Sequence, residues 1–299
     1  MKPSQLQIGI ILVIGIIGVS LSAIWIRLGL AAVNFENKVG FSLFLAASRL
    51  ILAALIVLPT AKNLKSRENN PQSYYYALAA GVCLAIHFAT WITSLSYTSI
   101  AASTVLVTTN PIWVGLFSWW WYKEKFNRVQ ILGIAVALIG GVIIALVDTN
   151  LANSEYSNPI LGNILALMGA VMSSLYIIFG LKAQQQGLNT QQYIAIAYSI
   201  AALALFPLPW FYNTSYLGYP KAVYLYILLM AIISQVIGHT SLNWAIRWTS
   251  PALISLSLLF EPVIASIFGA IVFKEIPAGG LLIGGVIILL GIGIYSNSR

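Results

Sequence analysis

Charged residues are scarce in this chain: 15 Lys and Arg and seven Asp and Glu make up only 7% of its 299 residues. A soluble domain of ordinary composition carries about 25% charged residues. So few charges cannot cover a water-facing surface, particularly when 60% of the residues are hydrophobic and the mean hydropathy is +0.90. The composition therefore excludes an ordinary soluble protein and predicts a polytopic membrane protein.

Cysteine and histidine are nearly absent as well. Cys83 is the single cysteine, so the chain can form no intrachain disulfide and no cysteine-rich metal site. His87 and His239 stand in different apolar segments and match no zinc-binding spacing. The sequence also lacks a Walker motif, a Ser-His-Asp arrangement and paired catalytic carboxylates. We therefore expect no catalytic residues, no metal, no cofactor and no ATP-driven pump formed by this chain alone.

Positive charge is spread along the chain rather than concentrated. The formal net charge of +8 would suit a nucleic-acid partner if the positive residues were clustered. They instead stand between apolar segments, which indicates orientation in a membrane and no nucleic acid. With the N-terminus inside, the inner loops hold Lys2, Lys62, Lys65, Arg67, Lys123, Lys125, Arg128, Lys182, Arg247 and Arg299, and the outer loops hold Arg27, Lys38, Lys221 and Lys274. This excess obeys the positive-inside rule and predicts a multi-pass protein of the cell (inner) membrane with both termini cytoplasmic.

Ten apolar segments are long enough to span a bilayer, which takes about 20 residues of helix. They cover residues 8–28, 39–60, 74–96, 99–122, 129–147, 160–181, 190–211, 222–246, 252–273 and 277–297. Helices are expected because each one satisfies its own backbone hydrogen bonds in lipid. The first segment is longer than the apolar region of a secretory signal, so we predict a retained helix.

One stretch of sequence occurs twice, 151 residues apart. Asn110-Pro111 opens the first copy and Glu261-Pro262 opens the second. The pairs that obey the offset are Pro111/Pro262, Phe117/Phe268, Lys123/Lys274, Glu124/Glu275, Gly133/Gly284 and Gly140/Gly291. A shared register of proline, Lys-Glu and glycine indicates an internal repeat of about half the chain.

Each repeat contains five predicted helices, and because five is odd the second repeat enters the membrane from the opposite side. Inverted repeats of this kind place a transporter's substrate site near the membrane midplane, between the halves. We predict a first repeat over residues 1–148, an outer linker over 149–159 and a second repeat over 160–299.

These residues resemble the drug/metabolite transporter superfamily, specifically its EamA branch. The resemblance rests on the two Pro…Lys-Glu stretches, each followed by a glycine-rich closing helix, and covers nearly the whole chain. It implies an all-α fold of ten transmembrane helices in two inverted five-helix EamA repeats. It also implies a secondary transporter of small organic metabolites, an exporter of amino acids or related compounds that works by alternating access around a midplane cavity. The expected partners are a small-molecule substrate and the lipid bilayer.

Two alternatives stay open at this point. A membrane-embedded enzyme acting on a lipid or isoprenoid would need an acid–base pair at hydrogen-bond distance, and His239 and Glu261 are the candidates for it. The oligomeric state is also open, because the glycines of the fifth and tenth segments could pack within a monomer or form the face of a homodimer.

Glu261 is the strongest candidate for a substrate-binding residue. A charged residue in the middle of a membrane helix costs about 2.5–3.5 kcal/mol, so it usually faces a cavity or a partner. Pro262 follows it and removes a backbone donor, which can open the helix locally. The carboxyl group could bind a substrate amine, carry a proton, or be buried and pin one helix to another.

Polar and aromatic side chains recur at helical spacing on three other predicted helices. They are Gln235, His239 and Asn243 in the eighth segment, His87 and Trp91 in the third, and Thr104, Thr108 and Asn110 in the fourth. Residues four apart share a helical face, and in lipid a polar face should point into the protein. The set predicts a weakly polar cavity between segments three, four, eight and nine, although any single member could equally bond two helices together.

Three further residues complete the candidates. Trp25 and Tyr176 are equivalent in the two repeats and could line the pathway near opposite ends. Arg49 is the one fixed positive charge within a segment, and a structural role is favoured because no second cation accompanies it. The predicted substrate-binding set is thus His87, Trp91, Asn110, His239, Asn243, Glu261, Trp25 and Tyr176. Proton coupling through Glu261 and His239 stays open, since a buried neutral histidine is the simpler state.

Overall fold

The computed structural model describes residues 3–33, 37–61, 70–122, 127–151, 156–249, 251–274 and 279–297, which form helices joined by short turns. Ten helices follow one another along the chain. They are α1 (Gln5–Ala31), α2 (Lys38–Thr60), α3 (Pro71–Ser94), α4 (Ile100–Val107 with Asn110–Tyr122), α5 (Arg128–Leu151), α6 (Pro159–Gln185), α7 (Thr190–Phe211), α8 (Lys221–Ala245), α9 (Pro251–Ser257 with Phe260–Phe273) and α10 (Gly279–Asn297). Lys123, Glu124 and Glu275 of the repeated stretch lie outside the described residues.

The helices have the length and composition of membrane spans. In the described part of the chain, eight are long and apolar enough to cross a bilayer, and shorter apolar segments, Arg128–Ile143 and Leu282–Tyr295, lie in α5 and α10. Large apolar side chains such as Leu138, Leu203 and Ile271 are exposed on the outside of the bundle. Such a surface suits lipid rather than water. The prediction of an all-α membrane protein is confirmed.

Local sequence explains where several helices begin. Asn70 and Asn158 cap α3 and α6 with their side chains, and each is followed by a proline at the start of the helix. Proline suits that position because its missing N–H would have no partner in the helix. Asn189 and Gln192 form a reciprocal capping box at the start of α7.

Equivalent helices of the two repeats make equivalent contacts. Helix α2 packs against α7, and α5 packs against α10. Helix α3 packs against α6 in the same way that α8, its equivalent five helices later, packs against α1. The contacts between the halves therefore follow the repeat that the sequence contains.

Helices α5 and α10 approach each other backbone to backbone. A Cβ atom added to Gly133 would lie 2.6 Å from the carbonyl oxygen of Gly291, and one added to Gly140 would lie 2.7 Å from that of Gly284. Only glycine fits at these positions, because a side chain would collide with rigid backbone. These glycines therefore pack the two helices of one chain together.

Two adjacent glycines in α5 test this contact. We expect Gly140→Ala to lower the free energy of unfolding by about 1–3 kcal/mol, because the added methyl group overpacks a backbone contact. Gly141→Ala is the matched control, since its Cβ would meet only Leu106 Cδ2 at 4.0 Å. The melting temperatures of the purified variants in detergent give the comparison, and equal losses in both would contradict it.

Candidate substrate site

A cavity opens between six helices, three from each half of the chain. It contains about 620 Å³ of atom-free space, open solvent space included. The helices are α1, α3 and α4 with their equivalents α6, α8 and α9. The lining residues are Val19, His87, Trp91, Val107, Thr108, Asn110, Ser173, Tyr176, Ile177, His239, Leu242, Asn243, Ile246, Ile254, Leu258 and Glu261. Because every lining helix has its equivalent in the lining, the cavity lies between the two halves.

Helices α4 and α9 are both interrupted at the cavity. Helix α4 restarts at Asn110 and α9 restarts at Phe260, directly before Glu261. Pro111 and Pro262 then occupy the first turn of each restarted helix, where proline leaves no donor unsatisfied. The N-terminal end of a helix carries about half a positive elementary charge. Each half of the chain thus presents one helix end at the cavity.

The equivalent residues Asn110 and Glu261 differ in how their side chains are bound. In the amide orientation that satisfies Asn110, its Nδ2 donates to the carbonyl oxygens of Val107 at 2.9 Å and Ala170 at 3.3 Å. Its other terminal atom then lies 3.4 Å from Ser173 Oγ. Glu261 is only 8% exposed, and no described residue donates a hydrogen bond to its carboxyl group. The first repeat therefore has an anchored amide where the second has an unbonded acid.

His87 holds α3 against α6 and forms a flat wall of the cavity. Its Nδ1 atom lies 2.9 Å from the carbonyl oxygen of Gly169. A carbonyl oxygen only accepts, so Nδ1 carries the hydrogen and Nε2 is an acceptor when the ring is neutral. The ring stacks on Trp91, with centroids 5.8 Å apart and planes 9° apart.

The equivalent contact in the structure, between α1 and α8, has no aromatic ring at the position that corresponds to His87. Gly238 stands where the first repeat has His87, and Gly18 stands where the second repeat has Gly169. Ser234 Oγ donates to the carbonyl oxygen of Gly18 over 2.7 Å. Both crossings thus bond a side chain to a glycine carbonyl, but only the first one adds an aromatic surface to the cavity.

Asn243 is the centre of a hydrogen-bonded group between α6, α7 and α8. Its Nδ2 atom donates to the hydroxyl of Tyr176 and lies 3.5 Å from that of Tyr198. Gln184 Nε2 donates to the backbone carbonyl of Asn243, and Gln184 Oε1 accepts from Thr190 Oγ1. These contacts fix the orientation of the two lining residues. Sequence reasoning missed Tyr198 and Gln184, because nothing in the spacing shows that they meet Asn243.

His239 lies beside Phe88 rather than bonded to Glu261. The rings of His239 and Phe88 are 5.4 Å apart between centroids and nearly perpendicular, at 79°. No hydrogen bond joins His239 to Glu261, although both are among the described residues. The acid–base pair that the enzyme alternative requires is therefore not assembled in this conformation.

Arg49 is fully buried and is held by contacts from three other helices. Its Nη1 donates to Ser22 Oγ at 2.8 Å, and its Nη2 donates to Gln235 Oε1 at 2.9 Å. The centre of the guanidinium group lies 4.1 Å from the centroid of the Phe88 ring, close enough for a cation–π interaction. Arg49 does not line the cavity. These contacts agree with a structural role rather than an anion site.

The three polar residues of α8 have different surroundings. Gln235 Oε1 accepts a hydrogen bond from Arg49, whereas His239 and Asn243 line the cavity. The segment Met230–His239 of this helix is π-helical.

The structure brings most of the predicted site residues together. Those that line the cavity are His87, Trp91, Asn110, Tyr176, His239, Asn243 and Glu261. Trp25 is not among them: α1 is interrupted at Leu21, whereas its counterpart Tyr176 lies on the unbroken α6. The sequence placed the cavity between four helices, and α1 and α6 add Val19, Ser173 and Ile177 to it.

The two halves each match a family of known proteins. Residues 6–146 and 160–297 match the EamA-like transporter family. The chain belongs to this family. The resemblance stated from the sequence is confirmed, and this EamA protein is a multi-pass membrane transporter.

Relatives of the EamA protein are similar over most of their length. An uncharacterized transporter of Clostridium kluyveri is 27% identical over 257 residues, which cover 83% of this chain and 82% of that one. An uncharacterized transporter of Archaeoglobus fulgidus is 22% identical over 275 residues, or 91% of each chain. A solved crystal structure superposes with a TM-score of 0.61 at 17% identity, covering 97% of this chain and 96% of that one, which shows a shared fold.

The hydrogen bond between His87 and the carbonyl oxygen of Gly169 leads to a prediction about the stability of the EamA protein. His87→Leu should lower the free energy of unfolding by about 0.5–1.5 kcal/mol more than His87→Asn does. Both variants lose the ring that stacks on Trp91, but the amide nitrogen of asparagine can take the place of Nδ1 and still donate to Gly169. Thermal unfolding of the two purified variants measures the difference, and equal melting temperatures would show that this bond contributes nothing.

Proposed function

We propose that this EamA protein is a secondary transporter that exports amino acids or related small organic metabolites by alternating access. The observation that carries the proposal is the cavity, which three pairs of equivalent helices line and at which both α4 and α9 restart. Interrupted helices commonly form the substrate site of secondary transporters, because their ends present N–H groups and partial charge to the substrate.

In this proposal the two halves are inverted repeats that rock around the cavity. The first covers residues 1–148 and the second covers 160–299, joined by an outer linker over 149–159. The equivalent contacts of α2 with α7 and of α5 with α10 support a two-fold relation between the halves. The excess of Lys and Arg in alternate loops supports cytoplasmic termini in the cell (inner) membrane.

The substrate would contact the cavity residues of both repeats, and Glu261 and His239 would exchange a proton in a coupled cycle. Glu261 supports this role because it is buried in the cavity without a hydrogen-bond donor from any described residue. A group in that situation can change its partner during the cycle, whereas a group fixed by several bonds cannot do so without breaking them.

Flux into liposomes tests the proposal. Purified full-length protein is first screened for small metabolites that raise its melting temperature, and the best ligand is then followed as a radiolabelled substrate in proteoliposomes. We expect saturable counterflow that empty liposomes lack, and faster net flux with an imposed pH gradient. Binding without counterflow would reject secondary transport, and chemical conversion of the ligand would favour an enzyme. Equal flux with and without the gradient would reject proton coupling alone.

A further inference from the structure

We propose that the cavity binds a protonated amine attached to a flat, apolar body, with the ammonium group against Glu261 and the flat body against the ring of Trp91. The ligand class is therefore an organic cation, ahead of a zwitterion of the same size. This inference favours an amine among the related metabolites over the amino acids of the proposed function, and it rests on that function for the statement that the ligand is transported.

The charged residues that line the cavity favour a cation. Glu261 is the one acid among the lining residues, and no lysine or arginine accompanies it there. Its side chain is more than nine-tenths buried and has no hydrogen-bond donor among the described residues. A buried carboxylate without a hydrogen-bond donor is unfavourable, so a ligand that brings a positive charge and N–H donors stabilises the site.

The nearby fixed cation is not available to a ligand. The guanidinium group of Arg49 donates to Ser22 and Gln235, and its face is covered by Phe88. The Phe88 ring also contacts His239, which does line the cavity. The Phe88 ring therefore contacts both the guanidinium group and a cavity residue, and Arg49 itself is not among the lining residues.

The two helix ends at the cavity are not equivalent for an anion. The restarted part of α9 carries Glu261 in its first turn, so the positive end of that helix already has a negative partner. The restarted part of α4 begins with the neutral Asn110. A ligand carboxylate could thus use only one helix end, worth about half a charge, whereas an ammonium group meets a whole carboxylate.

The walls of the cavity define the rest of the ligand. Trp91 and His87 form a stacked, flat surface contributed by the first repeat. Leu242 of α8 is the residue of the second repeat that corresponds to Trp91, and it forms an apolar wall together with Ile254 and Leu258 of α9. A flat ring fits between an aromatic surface and an aliphatic one, because the two surfaces can cover its two faces.

A matched series of indoles tests the inference on the full-length protein. The probes are tryptamine, tryptophan, indole-3-propionate and the uncharged 3-ethylindole, which share one ring and differ in charge. We expect tryptamine to bind about tenfold or more tighter than 3-ethylindole, as hydrogen bonds to a charged group allow. Tryptophan should bind more weakly than tryptamine, and indole-3-propionate should bind most weakly. Ligand-dependent melting temperatures and titration calorimetry measure this order.

A variant separates the role of Glu261 from nonspecific binding. Glu261→Gln should remove the preference for tryptamine over 3-ethylindole while leaving the affinity for 3-ethylindole unchanged. A preference that persists in the variant would overturn the inference. So would tighter binding of tryptophan or indole-3-propionate than of tryptamine by the unsubstituted protein.

Flux measurements in proteoliposomes keep this inference distinct from the proposed function. Saturable transport of a zwitterion or anion in preference to the amine would overturn the ligand class and leave the transporter intact. Tight binding of tryptamine without counterflow of any probe would support the ligand class and contradict the proposed transport.

Discussion

Exchanging Glu261 for glutamine is expected to slow transport of a bound substrate by about tenfold to a hundredfold, because hydrogen bonds to a charged group contribute about 1.5–3 kcal/mol. The substitution preserves the size of the side chain but removes its charge and its proton-accepting ability. The fold should persist, since no described residue bonds this carboxyl group. Initial rates of counterflow in proteoliposomes, together with the melting temperature, measure both effects.

Phe260→Leu provides a control from the adjacent position. Phe260 is 64% exposed and does not line the cavity, so this change on the outer surface should leave the transport rate unaltered. The pH dependence adds a second criterion: flux through the unsubstituted protein should vary with pH, and flux through Glu261→Gln should not. Unchanged transport in Glu261→Gln at every pH would assign this carboxyl group a purely structural role.

Replacing Gln235 by methionine is expected to lower the free energy of unfolding by about 1.5–3 kcal/mol, because it removes a hydrogen bond from a buried charged group. The side chains are similar in size, so packing changes little. Nη2 of Arg49 donates to Gln235 Oε1, and this hydrogen bond is lost in the variant, whereas the one to Ser22 and the contact with the Phe88 ring remain. Thermal unfolding of the purified protein measures the loss.

A double variant tests whether Arg49 and Gln235 are energetically coupled. Arg49→Met combined with Gln235→Met should be more stable than Gln235→Met alone, since removing both partners leaves neither a charge nor an unsatisfied amide in the apolar interior. A double variant with the summed loss of the two single variants would contradict the coupling. Such additivity would mean that the two residues contribute independently.

The sequence predicted features that depend on one helix or on the repeat itself. The 151-residue offset identified Asn110 and Glu261 as equivalents, and the structure has both at helix restarts. Pro262, directly after Glu261, indicated where α9 would open. The mid-membrane acid also signalled a cavity, because lipid cannot accommodate an isolated charge cheaply.

Features that depend on which helices meet could not be predicted in the same way. The partners of Arg49 are 27 and 186 residues away, and no periodicity connects them. The π-helical segment Met230–His239 of α8 also has no marker in its composition. Trp25 does not line the cavity although its counterpart Tyr176 does, so equivalence in sequence does not ensure an equal position in the structure.

The glycine contact between α5 and α10 limits how the molecule can move. There is no room for even a methyl group between Gly133 and Gly291 or between Gly140 and Gly284, so these helices cannot slide or roll across each other without collision. The proposed alternating-access cycle would therefore keep α5 and α10 in contact and use this contact as a pivot. Displacement would then grow with distance from it, and access to the cavity would change by rotation about a fixed line rather than by separation of the halves.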